Sequence, residues 1–560
     1  MTTQTIQSTR TTQTARNTQA FPTLDTSAIE RVQRYGTISR VAEGEILVEQ
    51  GKPMEHFVVI VEGEAVVELT TNLGTELIAT HGPGEFFGDV NLLSGRPSLV
   101  RGRMVKAGRI LTVQRSDLRD LMQGDAELGE LFMRAFILRR MELLASSAGD
   151  VVVLGSLNSA GTLRIREFLT RNGYPYAFID LEKDKDVQRF LDQFHVSVSD
   201  IPVLIHGHEP VLKNPSNEEI SLTLGFNESV SESELRDVTI VGAGPAGLSA
   251  AVYAASEGLS TLLLEANAPG GQAGSSSRIE NYLGFPNGIS GLDLASSAYE
   301  QAQKFGAEFL IARSVAQLGC GTRPFQIITG DGAEVRSKTV VIATGAQYRK
   351  LPIENLASFE GVGVYYGAAK IEAQMCEAKD VVIVGGGNSA GQAAVFLSRF
   401  AAHVHILVRA DSLASSMSRY LIRRIEETPN ITLHSRTEIV ELKGQHHLES
   451  VVLRHNVTGE SWEEPYRHVY LMTGASPNTE WLRNCVSLDD KGFVLTGASL
   501  TDDHLKDAGW PLSRRPYLLE TSVPGIFAAG DVRAGSVKRV AAGVGEGALA
   551  ITFVHQALSA

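Results

Sequence analysis

The chain has 560 residues, 21% charged and 43% hydrophobic, which excludes wholesale disorder and, at roughly 150 residues per domain, suggests three or four domains. A net charge of −13 argues against a general nucleic-acid partner, and no uninterrupted apolar run approaches the roughly 18 residues that cross a bilayer. The three cysteines, Cys320, Cys376 and Cys485, stand too far apart in sequence for a local disulfide framework or a CxxC dithiol, and the chain reads as cytoplasmic.

Residues 1–26 are rich in Thr and Gln, carry no acid before Asp25 and read as a disordered tail. From about Gly36 to Lys106, short alternating runs broken by glycine argue for a small antiparallel β-roll. Residues 116–146 then change to helical spacing, with Ser116 or Asp117 placed as the N-cap. The span 27–148 resembles the cyclic-nucleotide-binding domain of bacterial regulators and kinase regulatory subunits. Gly84-Glu85-Phe86-Phe87-Gly88-Asp89-Val90-Asn91-Leu92-Leu93 carries that resemblance, matching the phosphate-binding cassette of the family. It implies an effector pocket at Gly88, Asp89, Arg96, Ser98 and Arg101, with a cyclic nucleotide or another anion as effector. Two positions depart from the family pattern: Asp89 stands for the Glu that meets the ribose, and Ser98 for the Arg that meets the phosphate. Losing that charged hydrogen bond weakens binding roughly ten- to a hundredfold unless Arg96 or Arg101 substitutes from the flank. Otherwise the module is a docking or dimerising domain.

Residues 149–226 open with a strand, VVVLG, a helix, TLRIREFLTRNG, and a second strand, YAFIDL. A helix, VQRFLDQF, and the run Asp200-Ile201-Pro202-Val203 follow. This order, with an X-Pro entering a strand, resembles a thioredoxin or glutaredoxin fold, which makes Ile201–Pro202 a candidate cis bond. Ser159-Ala160-Gly161-Thr162 occupies the place of the family's redox pair, and two hydroxyls cannot form a disulfide. A partner-binding or spacing role is expected.

The polar stretch 227–237 reads as a linker. Val238-Thr239-Ile240-Val241 is a strand running into Gly242-Ala243-Gly244-Pro245-Ala246-Gly247 and a helix, the dinucleotide fingerprint in its proper context. Glu265 ends the next strand about twenty residues on, where a carboxylate binds the adenosine ribose. A second fingerprint follows the strand Asp380–Val384: Gly385-Gly386-Gly387-Asn388-Ser389-Ala390. Its second strand ends at Arg409 rather than at an acid, which favours the 2′-phosphate of NADPH, with NADH as the alternative.

Two such folds on one chain imply hydride passing from a nicotinamide to a flavin. Pro269-Gly270-Gly271-Gln272, Glu280-Asn281-Tyr282, Ala343-Thr344-Gly345, Phe527-Ala528-Ala529-Gly530-Asp531 and Lys538-Arg539-Val540 resemble the flavin-binding segments of low-molecular-weight thioredoxin reductases. The resemblance implies that Gly530 and Asp531 meet the ribityl chain of FAD and that Lys538, Arg539 and Val540 lie beside its ring. It also implies a homodimer. The fold expected is thus multidomain: a β-roll with helices of the cyclic-nucleotide-binding type, an α/β thioredoxin-like domain, then two α/β three-layer dinucleotide-binding folds. FAD binding is assigned to 238–351 and 476–560, and NAD(P)H binding to 352–475.

The chemistry departs from that family at one place. Its CxxC and following Asp fall here on Tyr365 to Cys376, where Cys376 stands alone as a buried structural residue and Glu372 lies near the acid. No catalytic side chain and no metal are therefore assigned, and the flavin itself is the centre. Electrons would pass to a quinone, a small redox protein or a disulfide. The competing reading is a flavin- and ligand-responsive regulatory or scaffold protein with little turnover.

Overall fold

The computed structural model describes every residue except 1–18, 72–73, 146–150, 157–158, 182–199, 207–209, 228–233, 277, 367, 369–372, 374–375, 446, 483–484 and 560. The chain forms two compact units. One comprises Met1–Leu154, Asn172–Ser231 and Glu300–Ala312; the other comprises Gly155–Arg171, Glu232–Tyr299 and Arg313–Ala560.

In the first unit the alternating segments pair as antiparallel strands in the order Gly36–Val41, Arg101–Gln114, His56–Thr71, Gly74–His81. The strands bury Phe57, Val58, Val59, Ile60 and Leu111 in one core, and the helix Ala126–Ala145 closes the roll with Phe132 and Phe136. Phe57, Phe86 and Phe132 pack with ring centroids 4.8–5.3 Å apart. The first helix after the roll spans Arg115–Gly124 with Gln114 as N-cap and no side-chain cap bond, so neither Ser116 nor Asp117 caps it.

The expected tail is shorter than composition suggested. Residues 1–18 lie outside the described residues, but Ala20 and Leu24 are buried, and Asp25 caps the helix Thr26–Gln33 by accepting from Ala28 N at 2.7 Å. Arg139 fixes this stretch, its Nε donating to Ala20 O at 2.8 Å. Apolar anchors two turns before a capped helix override the polar composition around them.

Within 149–226, a four-stranded sheet runs Leu212–Lys213, Val203–His206, Val151–Gly155, Ala177–Asp180. Val151 to Leu154 pair antiparallel with Val203 to His206. The Ile201–Pro202 peptide is cis, as expected. The second expected helix, VQRFLDQF, lies outside the described residues. The linker is shorter than its polarity implied: Leu235 to Asp237 already belong to the strand Leu235–Val241, with Leu235 paired to Arg336.

The second unit holds two sheets built around parallel strands, the first of which also carries the antiparallel strands Phe325–Thr329 and Val315–Gly319. In one, Thr261–Glu265, Leu235–Val241 and Glu334–Ile342 lie side by side, with Ile526–Ala528 next to Glu334–Ile342. Their register aligns Val241 with Leu264 and Ile342, and Ile342 with Ala528. The carboxyl ends of all four strands therefore meet at one edge, where open α/β sheets bind ligands. The other sheet orders Val364–Tyr365, Val469–Leu471, Asp380–Val384, His403–Leu407 and Ile431–His434. A short antiparallel pair, Ala346–Tyr348 with Ala475–Pro477, holds together the two chain crossings between these folds.

Candidate functional site

The strand Leu235–Val241 is buried on both faces over its last four residues and turns sharply at Gly242, whose φ of +104° only glycine adopts without strain. Gly244 is the N-cap of the helix Pro245–Ser256, with Pro245 in the first turn and no side chain capping the free amides. A Cβ on Gly244 would meet nothing within 4 Å, whereas one on Gly247 would lie 1.8 Å from Gly242 O. The second glycine thus opens outward, and the third lets helix and strand touch; Ala246 is buried, and a Cβ on Gly530 would meet its Cβ at 2.9 Å. Open space over uncapped amides at a helix N-terminus suits a pyrophosphate.

Glu265 stands beside this turn. Its Oε2 accepts from Ala243 N at 2.7 Å and its Oε1 from Asn267 N at 2.8 Å, while burial pushes the carboxyl above the usual carboxylate range. The 268–271 turn closes over the fingerprint: Gly270 N donates to Ala243 O at 2.8 Å, and a Cβ on Gly271 would sit 3.0 Å from Gly244 Cα. Gln272 Nε2 donates to Ala346 O. Gly530 and Asp531 follow the strand Ile526–Ala528 at the same edge; Asp531 is half-buried, its carboxyl raised by desolvation against the opposing charge of Lys538. Arg539 is the N-cap residue of the helix Val540–Leu558, without a side-chain cap bond, and Lys538 lies over the Phe493 ring. Asn281 is exposed, and its neighbour Glu280 is held by Arg424 at 2.8 Å.

Sequence reasoning missed Asn478. Thr344 Oγ1 donates to Asn478 O at 2.8 Å and Asn478 Nδ2 returns a bond to Thr344 O at 2.9 Å, leaving Asn478 Oδ1 buried without a partner. The P-N-T run at 477–479 was the available signal.

In the second fold Gly385 makes the turn, Gly387 is the N-cap of the helix Asn388–Leu397, and a Cβ on Gly387 would meet nothing within 4 Å. Asn388 Oδ1 accepts from Ser418 N at 2.7 Å, Ser389 is exposed at the helix start and Ala390 is fully buried. Arg409 is exposed just past the strand His403–Leu407, its backbone held by Asn456 Nδ2 at 2.9 Å. A second arginine, Arg436, comes beside it through a bond from Arg436 N to Ala410 O, but its guanidinium is paired with Asp411.

These features decide the family. A family model described as pyridine nucleotide-disulphide oxidoreductase matches residues 236–547, and one described as cyclic nucleotide-binding domain matches 38–125. The chain belongs to the pyridine nucleotide-disulphide oxidoreductase family. It is 33% identical over 328 residues to the thioredoxin reductase of Bacillus subtilis, covering 58% of this chain and 96% of that one. It is 32% identical over 373 residues to NADPH-dependent thioredoxin reductase 3 of Arabidopsis thaliana, covering 63% of this chain and 66% of that protein. The crystal structure of Lactococcus lactis thioredoxin reductase aligns with a TM-score of 0.52 at 31% identity, over 58% of this chain and 99% of that one. The chain is a thioredoxin reductase-like flavin oxidoreductase preceded by a cyclic-nucleotide-binding domain, and its family implies the use of FAD and NAD(P)H.

The thiols are arranged as spacing alone did not suggest. Cys320 and Cys485, separated by 165 residues, form a disulfide with Cα atoms 5.9 Å apart. Cys376 is fully buried in the core of the second fold, its Sγ donating to Ala373 O at 3.4 Å. Glu372 lies outside the described residues. Among the described residues no helix is long and apolar enough to cross a membrane, and no group of His, Cys, Asp or Glu could hold a metal.

In the front module, Asp89 caps the helix Val90–Ser94 through Asn91 N at 2.9 Å, following Gly88 at φ +154°. Burial raises its carboxyl, and Arg140 and Arg139, both buried, oppose that shift. Ser98 is buried and bonds its own turn, Oγ to Val100 O at 2.9 Å. Arg96 does not stand in for the missing cassette arginine: its Nε and Nη1 donate to Phe226 O and Asn172 O, and its guanidinium covers the Phe226 ring at 4.6 Å. Arg101 is half-exposed on the strand Arg101–Gln114.

Proposed function

We propose that the chain passes hydride from NADPH to FAD and then electrons to an external acceptor, a quinone, a small redox protein or a disulfide. A bound flavin would supply hydride acceptance and stepwise electron release. The observation that carries the reading is the outward-open Gly244 beside Glu265, with amides free for a pyrophosphate and a carboxylate held by backbone amides at the strand end, where a ribose would lie. Gly242, Gly244, Pro245, Ala246, Gly247, Glu265, Gly271, Gln272, Asn281, Gly530, Asp531, Lys538, Arg539 and Val540 would hold FAD; Gly385, Gly387, Asn388, Ser389, Ala390 and Arg409 would hold NADPH. FAD binding is assigned to 238–351 with 476–560, and NAD(P)H binding to 352–475. The sheet order supports a thioredoxin-like segment before them, and the front module is assigned a nucleotide effector.

NADPH is expected to be preferred. Arg409 is exposed at the strand end while the neighbouring Arg436 is already paired, so the 2′-phosphate would rest on Arg409 alone. Arg409→Ala should raise KM for NADPH about ten- to a hundredfold, the worth of one charged hydrogen bond, and leave KM for NADH nearly unchanged. Equal effects on both would remove Arg409 from the 2′-phosphate.

Steady-state NADPH consumption with a panel of quinones, carrier proteins and disulfides tests the whole reading. Replacing Cys320, Cys376 and Cys485 together with Ser should leave turnover with a quinone nearly intact. Fast single reduction of the flavin without turnover would favour a sensor. A folded, FAD-loaded triple variant that loses the wild-type turnover completely would make one of the three cysteines catalytic.

A further inference from the structure

The helix Ala160–Arg171 belongs to the segment with the thioredoxin-like order, yet it packs within the second unit. Leu163 lies against the core of the second dinucleotide fold, and a Cβ on Gly361 would meet Ala160 Cα at 3.0 Å. This anchoring delivers the last residue of the helix, Arg171, to the 268–271 turn. Its Nη2 donates to Gly271 O at 2.8 Å and to Ala268 O at 3.4 Å, and its Nη1 faces Glu167 at 3.4 Å. One donor remains: Arg171 Nε is buried and has no partner. The turn that Arg171 grips is the one lying over Gly244, and the guanidinium charge also acts on Glu265, where it opposes the effect of burial.

We propose that Arg171 is a positioning residue of the dinucleotide site, by which the helix Ala160–Arg171 pins the 268–271 turn over Gly244 and so retains the adenosine and pyrophosphate half of FAD. This rests on the flavin reading above. A guanidinium suits the task because its terminal Nη2 carries two N–H groups, which face the two carbonyls, while Nη1 is free to face Glu167 and the charge favours the anionic pyrophosphate. A lysine would keep the charge on a single nitrogen without the planar group.

The test is titration of the full-length apo-protein with FAD and, separately, with ADP, in the wild type, Arg171→Gln, Arg171→Lys and Arg171→Ala. The expected result is about ten- to a hundredfold weaker FAD binding in Arg171→Ala and Arg171→Gln, with a loss of the same factor for ADP. Arg171→Lys should recover part of it, and the recovered part should shrink as salt is raised. Should Arg171→Ala fail to fold, the near-isosteric Arg171→Gln and the charge-retaining Arg171→Lys carry the comparison. Unchanged FAD affinity in the variants, with or without a lower melting temperature of the apo form, overturns the proposal. So does a loss for FAD with none for ADP. Failure of the wild type to bind FAD would instead sink the flavin assignment itself.

Discussion

Gly244→Ala is expected to leave the apo-protein folded and to weaken FAD binding at least a hundredfold, about 2.7 kcal/mol. The backbone at this residue has φ −70° and ψ −178°, which alanine adopts freely, and the added methyl meets no protein atom within 4 Å. Its stability should therefore shift by no more than about 0.5 kcal/mol. The methyl would instead fill the space over the uncapped amides of the helix Pro245–Ser256. Gly247→Ala is the contrasting case. Its methyl would lie 1.8 Å from Gly242 O, a backbone atom that cannot rotate away, so the strand and helix must separate. Overpacking of that kind costs about 1–3 kcal/mol or more, and both melting temperature and FAD affinity should fall. Calorimetric titration of each apo-variant, paired with thermal unfolding, reads the two effects apart. If Gly244→Ala binds FAD as the wild type does, the pyrophosphate does not lie there.

Arg514→Ala should cost about 3–5 kcal/mol of stability, the usual result of stranding a buried charge. Glu520 is completely buried, and Arg514 reaches it with Nη1 at 2.6 Å and Nη2 at 3.1 Å. Tyr517 N and Gly525 N also donate to the carboxylate, at 2.9 and 3.0 Å. Removing the arginine leaves two amide donors but no counter-charge. Glu520→Gln should cost less, because the Arg514 side chain is 28% exposed and can turn to water. The expected order in urea unfolding is therefore Arg514→Ala worse than Glu520→Gln. Glu520 bridges to Phe527 on the strand that leads into Gly530 and Asp531, so flavin retention should fall in the same order. Losses below about 1 kcal/mol for both variants would reduce the pair to an ordinary surface bridge.

The strand–turn–helix form of the two fingerprints and the places of Glu265 and Arg409 at or just past strand ends were legible in the residues, because strand, turn and helix are contiguous there. The β-roll was legible for the same reason: alternation assigns each side chain to a face whatever the roll later packs against. The failures lie where distant elements meet. Polarity marked 1–26 as tail and 227–237 as linker, yet Ala20 and Leu24 are buried and Leu235 to Asp237 join a strand. Spacing kept Cys320 and Cys485 apart, and folding brings their Cα atoms to 5.9 Å. Arg96 looked free to serve the cassette, but its donors are taken by carbonyls 76 and 130 residues away. Arg171 carried no motif, and only the packing of its helix against Gly361 and the Leu163 contact sets it over the 268–271 turn. Local sequence fixes which chemistry each element presents, since backbone geometry and side-chain period act over a few residues. Which chemistries meet is decided by whole-element burial, a sum over many apolar contacts that no single spacing records.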